Sequence, residues 1–180
     1  VIREVSEALV DLIEQASPDL GSWVELHSLS AADAGPTALS KGVLALLAAG
    51  PHPYLVNRPL VERPEGLSRA PLYLRLQYLF TAFGDHDEAM TRLTRAAQAF
   101  HTTPVLDATM LQPPLASAVE SVAIRMLSPS PDERNQVWGA LGRPGRPALF
   151  YEVDVAPVEP APREGAGRVR EHRVRWLAAR

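Results

Sequence analysis

Seventeen prolines punctuate this chain of 180 residues, and five of them, at positions 51, 53, 59, 64 and 71, crowd into one stretch. Proline fixes its own φ, lacks an amide donor and disfavours helix in the residue before it. Residues 51–71 therefore read as an irregular or edge-strand segment. Regular elements must be short pieces on either side of it. Ser17-Pro18, Thr103-Pro104 and Ser130-Pro131 mark further boundaries.

Between these breaks the apolar spacing defines the elements. Ile2, Val5, Leu9, Leu12 and Ile13 recur at helical intervals and predict an amphipathic helix over residues 2–16. Residues 23–29 alternate and read as a strand. Residues 41–49 are short, apolar and closed by Gly50-Pro51, which favours strand over short helix. Residues 72–80 give the clearest strand. Leu72, Leu74, Leu76, Tyr78 and Phe80 share one face, Tyr73, Arg75, Gln77 and Leu79 the other, and Arg75 and Gln77 are expected to be solvated there.

A second helix opens at Asp85, whose carboxylate can accept from first-turn amides while Glu88 reaches back. Its expected stripe is Met90, Leu93, Ala97 and Phe100. Residues 119–127 form another strand, with Val122, Ile124 and Met126 on one side. Ser130-Pro131-Asp132-Glu133 is a strong helix start, and Gly142 stops that helix after Val137, Trp138 and Leu141. Leu149, Tyr151, Val153 and Val155 then alternate as a strand. Residues 157–167 form a Pro/Gly/Ala linker, and residues 172–177 read as a last strand.

Strands outnumber helices and do not strictly interleave with them. The expected class is α+β, with a mixed, mainly antiparallel sheet flanked by about three helices. The expected division is a domain at 1–157 and a linker with an Arg-rich arm at 158–180.

Composition narrows the function. Hydrophobic residues make up 46% and charged residues 22%, so a packed core rather than global disorder is expected. The absence of cysteine excludes disulfides, thiolate zinc sites, iron–sulfur clusters and cysteine nucleophiles. A net charge of −3 argues against a general nucleic-acid binder. That charge is unevenly spread. Residues 163–180 hold six Arg and two Glu, whereas the first 162 hold 12 basic and 19 acidic side chains. A basic arm thus follows an acidic body, and could meet nucleic acid, an acidic protein surface or only solvent. No apolar run reaches the roughly 18 residues of a membrane span. Glu4, Glu7 and Asp11 argue against a leader peptide. A cytoplasmic chain without membrane contact is the default expectation.

Catalytic patterns are not assembled in the sequence. The five histidines make no i,i+3 or i,i+4 pair. Asp85-His86-Asp87 could be drawn as metal ligands, but helix capping explains it better. No phosphate loop and no G-x-S-x-G occurs. No enzyme activity, metal or cofactor is expected. The remaining candidates are contact residues. Asn57 and Arg58 lie in the proline-rich segment, where Arg58 could bind an anion or pair across subunits. Trp138 could anchor an interface or pack beneath the sheet. Arg173, Arg175 and Trp176 alternate in the C-terminal arm.

Whole stretches also carry a resemblance. These are I-R-E-V-S-E-A-L in the first helix, P-Y-L-V-N-R-P at 53–59, P-L-Y-L-R-L-Q-Y-L-F-T-A-F-G-D at 71–85, A-A-Q-A-F-H-T-T-P-V-L at 96–106, S-P-D-E-R-N-Q-V-W-G-A-L at 130–141 and L-F-Y-E-V-D-V at 149–155. Together they resemble the tail-terminator, or cap, proteins of extracellular contractile injection systems, the phage-tail-like particles of the antifeeding-prophage and Photorhabdus virulence cassette type. The resemblance runs to about residue 157 and is one of elements in order, not of a catalytic signature. It implies a mixed sheet flanked by helices, similar to phage tail terminators, and a homohexameric ring on the distal end of inner tube and sheath. The implied partners are further copies of the chain, the sheath protein and the tube protein. The implied location is cytoplasmic, within assembled particles, with release on lysis. An adaptor using the basic arm, or an enzyme with an unrecognised site, is the alternative. The role of residues 158–180 stays open.

Overall fold

The computed structural model describes residues 1–30, 41–55, 61–63, 66–68 and 70–158. The first helix, α1 (Ile2–Gln15), buries Val5, Leu9 and Ile13 along one stripe. A single 3-10 turn, Pro18–Leu20, follows and leads to the short strand β1 (Val24–Leu26). That strand is only three residues long, against the seven expected. Beyond it Leu29 adopts a positive φ of 58°, which breaks the extended run.

Strand β2 (Gly42–Pro51) runs parallel to β1 and antiparallel to β5 (Leu74–Ala82). Gly42 is required where it stands. A Cβ there would lie 2.7 Å from the Phe80 ring and 2.8 Å from the Trp23 ring. Between β2 and β5, strands β3 (Val61–Arg63) and β4 (Gly66–Ser68) form an antiparallel pair with Val61 opposite Ser68 and Arg63 opposite Gly66. This pair belongs to a small separate unit. The proline-rich segment thus holds paired strands as well as edge-type backbone. No proline lies within β3 or β4, and Pro51 is paired only as the last residue of β2, opposite Leu74.

Helix α2 (His86–Thr102) starts as expected, with the Glu88 amide donating to Asp85 Oδ1 at 2.8 Å. Its buried stripe is Leu93, Ala96, Ala99 and Phe100. Ala97, expected in that stripe, is only half-buried. Strand β6 (Val105–Asp107) and the one-turn helix α3 (Leu115–Ala118) were not expected, being too short to show a period. Strand β7 (Val119–Leu127) matches expectation. Helix α4 (Pro131–Leu141) carries the full reciprocal cap. The Glu133 amide donates to Ser130 Oγ, and the Ser130 amide donates to the Glu133 carboxylate at 2.7 Å. Gly142 closes it at φ 66°, the left-handed geometry that glycine takes without strain. Strand β8 (Ala148–Pro157) completes the chain's main sheet.

That sheet has six strands in the order β1-β2-β5-β8-β7-β6, with one parallel pair and four antiparallel ones. The protein is therefore α+β, with a mixed and mainly antiparallel sheet. Four α-helices are described, one more than the three expected.

Both faces of the sheet carry buried clusters, so the second face of β5 is covered around Leu79, while Gln77 is exposed as expected. Leu76, Tyr78 and Phe80 pack with α1 and α2, together with Tyr151, Val153, Val122 and Ile124. Leu79 points the other way, into a second cluster with Leu29, Val43, Ala45, Trp138 and Phe150. β5 sits near the middle of the sheet, so Tyr78 through Ala82 are buried without alternation. Leu72, placed on the strand's apolar face by alternation, precedes it and is exposed.

Candidate functional site

On the second face, past the Trp138 cluster, the sheet carries an ionic ladder. Arg75 on β5 donates from Nε to Asp154 Oδ1 at 2.9 Å and reaches Glu152 at 3.3 Å, both on β8. Arg125 on β7 reaches the same two carboxylates at 2.6 and 2.7 Å. The His52 ring meets the Arg75 guanidinium at 2.8 Å through Nε2. The Asp154 carboxylate raises the Arg75 guanidinium above its ordinary value. This corrects the sequence expectation for Arg75, which is tied across three strands instead of solvated. Cross-strand partners depend on register, and register is not visible in a single strand's pattern.

Two grooves flank the helical face. One, of about 350 Å³, lies between α1 and residues 106–115. Glu4, Glu7 and Asp11 line it alongside Leu12, Leu106 and Leu115. The other, of about 360 Å³, lies between α2 and β7 and is lined by Ala97, Phe100, His101, Pro104, Ile124, Met126 and Tyr151. The Tyr151 side chain is almost fully buried, and its hydroxyl has no hydrogen-bond partner among the described residues. Burial pushes that phenol far up.

The sheet edges are the third feature. β6 covers β7 only as far as Ala123, with the Ile124 amide donating to Pro104 O at 2.8 Å. Beyond that point β7 has no strand partner on its outer side among the described residues, and Met126 is 55% exposed. On its outer side β2 has no strand partner beyond Leu44 among the described residues. There the strand carries an irregularity between Leu46 and Ala48 and ends at Pro51. Bulges and prolines are the usual means of discouraging pairing at an edge.

Of the residues singled out by sequence, only Trp138 is described. It is 5% exposed and packs with Leu29, Leu79 and Phe150. Asn57, Arg58, Arg173, Arg175 and Trp176 lie outside the described residues. The structure therefore brings none of these candidates together. The last expected strand, 172–177, also falls outside. Among the described residues, no group of three or more His, Asp or Glu could hold a metal ion, and no helix is long and apolar enough to cross a membrane. Sequence reasoning missed the ionic ladder, the Tyr151 groove and the open part of β7. Met126 alternating with Arg125 was the only available hint of the last.

These features define a class: a mixed-sheet domain whose distinctive surfaces are edges and grooves. The model of the Pvc16 N-terminal domain family matches residues 4–171. The chain belongs to that family. Two solved structures share the fold at 14% identity. One is the PVC sheath/tube terminator of an extracellular contractile injection system in its extended state, with a TM-score of 0.63 over 99% of this chain. The other is the anti-feeding prophage cap, a tube-terminating cap, with a TM-score of 0.62 over 96% of this chain. The chain spans 64% and 60% of the length of those two proteins. A comparison with curated proteins returned no match.

Proposed function

We propose that this chain is the structural cap, or tail terminator, of a contractile injection system, and that six copies form a ring on the distal end of tube and sheath. The observation that carries this reading is the fold. Its α+β arrangement is that of two terminators over nearly the whole chain, and the family model spans residues 4–171. Fold likeness alone does not assign a function. The surfaces add physical support.

A terminating ring is a closed head-to-tail assembly, in which one patch meets a different patch on the next copy. It needs one face that accepts the preceding layer and another that accepts nothing. Among the described residues the sheet has one strand end with an irregularity and a proline, on β2, and one without, on β7, and this is such an asymmetry. An open edge can also grip an extended arm through backbone hydrogen bonds, with no special side chains. The partners proposed are further copies of the chain, the sheath protein and the inner tube protein. The role proposed is structural and not catalytic, within particles assembled in the cytoplasm.

Electron microscopy of particles made with and without this protein tests the reading. Six-fold density at the distal end, lost in the deletion, is expected. Particles with no such density overturn it.

A further inference from the structure

The groove between α1 and residues 106–115 has two unlike walls. Along α1, Glu4, Glu7 and Asp11 step by three and four residues, so they share one helix face at a rise of about 5–6 Å per step. The facing wall is Met110, Pro113 and Pro114, all exposed, and Ala8 and Leu12 lie half-buried between the two. Among the described residues no lysine, arginine or histidine lines this groove.

The carboxylates are lightly held. Arg3 reaches Glu7 at 2.9 Å, but its side chain is 85% exposed, and such an i,i+4 pair on a helix surface is worth little. Glu4 lies against the exposed amino group of Val1. Asp11 has no ion-pair or hydrogen-bond partner among the described residues.

A row of acids on an exposed helix is ordinarily just a solvated face. Here the row borders a concave apolar wall, and the two demand different things of an occupant. Apolar surface in a cleft favours cover, and a cleft lined by one sign of charge favours the opposite sign. Arginine and lysine meet both demands, because each has an apolar stem and a cationic head. A stem can lie over Leu12 while the head reaches Asp11 or Glu7. A bare divalent cation would meet only the acids, and the described residues hold no metal-binding group of three. A purely apolar peptide would cover the wall and desolvate the carboxylates without pairing them. The groove runs from Glu4 to Gln15, about 16 Å along the helix, which matches about five extended residues.

We propose that this groove docks a basic segment of another protein, about five residues long, in which arginine or lysine alternates with apolar residues. The apolar residues pack on Met110, Pro113 and Pro114, and the cations pair with Glu4, Glu7 and Asp11. This contact goes beyond the cap reading, and its test needs no particle.

The probe is the peptide acetyl-Leu-Arg-Leu-Arg-Leu-amide, with acetyl-Leu-Glu-Leu-Glu-Leu-amide as its counterpart. Each carries a neutral dye and is titrated into the full-length protein by fluorescence anisotropy. Saturable binding of the arginine peptide alone is expected. Asp11→Arg should weaken it at least about tenfold, and Met110→Ala several-fold. Raising salt from about 0.05 M to about 0.5 M should weaken it as well. Glu120→Arg, exposed on β7 and outside the groove, makes the same change in net charge and should leave binding unaltered. Urea midpoints confirm that the variants are folded. Where Asp11→Arg lowers the midpoint, Asp11→Asn carries the test with a several-fold loss. No binding of the arginine peptide overturns the inference. So does equal binding of the glutamate peptide, or an equal loss from Asp11→Arg and Glu120→Arg, which would mean a general attraction to an acidic surface. Self-association of the protein alone that Asp11→Arg abolishes would give the groove to a second copy, and also overturns it.

Discussion

The hydroxyl oxygens of Ser6 and Tyr78 lie 2.8 Å apart in the core, joining α1 to the central strand β5. Ser6 also donates to Ile2 O at 3.0 Å, so its single proton is committed and Tyr78 must be the donor between them. The two partners are therefore unequal. Ser6→Ala strands a buried phenol and is expected to cost about 1–3 kcal/mol. Tyr78→Phe leaves Ser6 still bonded to Ile2 and is expected to cost about 0.5–1.5 kcal/mol. Urea midpoints of the two variants check the order. A Tyr78→Phe that is the worse of the pair would contradict the assignment.

The same phenol sets a response to alkali. Burial raises the Tyr78 pKa to about 12, while an exposed phenol ionises near 10. The folded state thus keeps its proton where the unfolded state has lost it. The contribution is whole below about pH 10 and is lost as pH rises through the folded value. Burial shifts Tyr151 in the same direction. Stability should fall between about pH 10 and 12, by up to about 1.4 kcal/mol per pH unit for each phenol. Denaturant midpoints across that range should show the fall. The double variant Tyr78→Phe, Tyr151→Phe should flatten it, and an unchanged slope would rule the cause out.

Packing around β2 leaves no room at Gly42. A methyl there meets both the Phe80 and Trp23 rings, so Gly42→Ala should cost about 1–3 kcal/mol. Gly50→Ala, with open space around it on the same strand, is the control. Trp138→Ala should cost about 3–5 kcal/mol if the indole is core, as its burial indicates. A Trp138→Ala protein of unchanged thermal stability would contradict that placement.

The ladder across β5, β8 and β7 should behave unlike a surface pair. Arg75 and Asp154 are mostly shielded from solvent, and removing the arginine leaves Glu152 and Asp154 to the more exposed Arg125, with His52 Nε2 3.5 Å from Asp154. Arg75→Ala is expected to cost about 1–3 kcal/mol, with little relief from added salt. Arg3→Ala, which breaks an exposed pair with Glu7 on α1, should leave the melting temperature unchanged. Equal effects from the two variants would count against the ladder.

Local signals were legible wherever chemistry and period agreed. Ser130-Pro131-Asp132-Glu133 holds a cap, a pre-set φ and an acid in the right order, and α4 begins there. Val122, Ile124 and Met126 alternate within residues 119–127, and β7 has those bounds. Strand β5 was found, and on its second face Gln77 is exposed as expected whereas Leu79 and Thr81 are buried. Burial of Leu79 and Thr81 comes from the second cluster and the residue 147 turn, which nothing local announces. β1 was read too long because the Leu29 conformation is set by its neighbours. His27 Nδ1 accepts the Leu29 amide, and Arg143 donates to Leu29 O from more than a hundred residues away. The Tyr151 groove was illegible for the same reason, since it exists only once α2 packs against β7 and β8.

The central claim is that this chain ends tube and sheath growth. The most direct measurement is the length distribution of particles, imaged by electron microscopy, from cells with the gene and cells without it. The account predicts uniform particles with six-fold density at the distal end when the protein is present, and overlong, disordered or absent particles when it is not. Contractile particles of normal length from the deletion would contradict it.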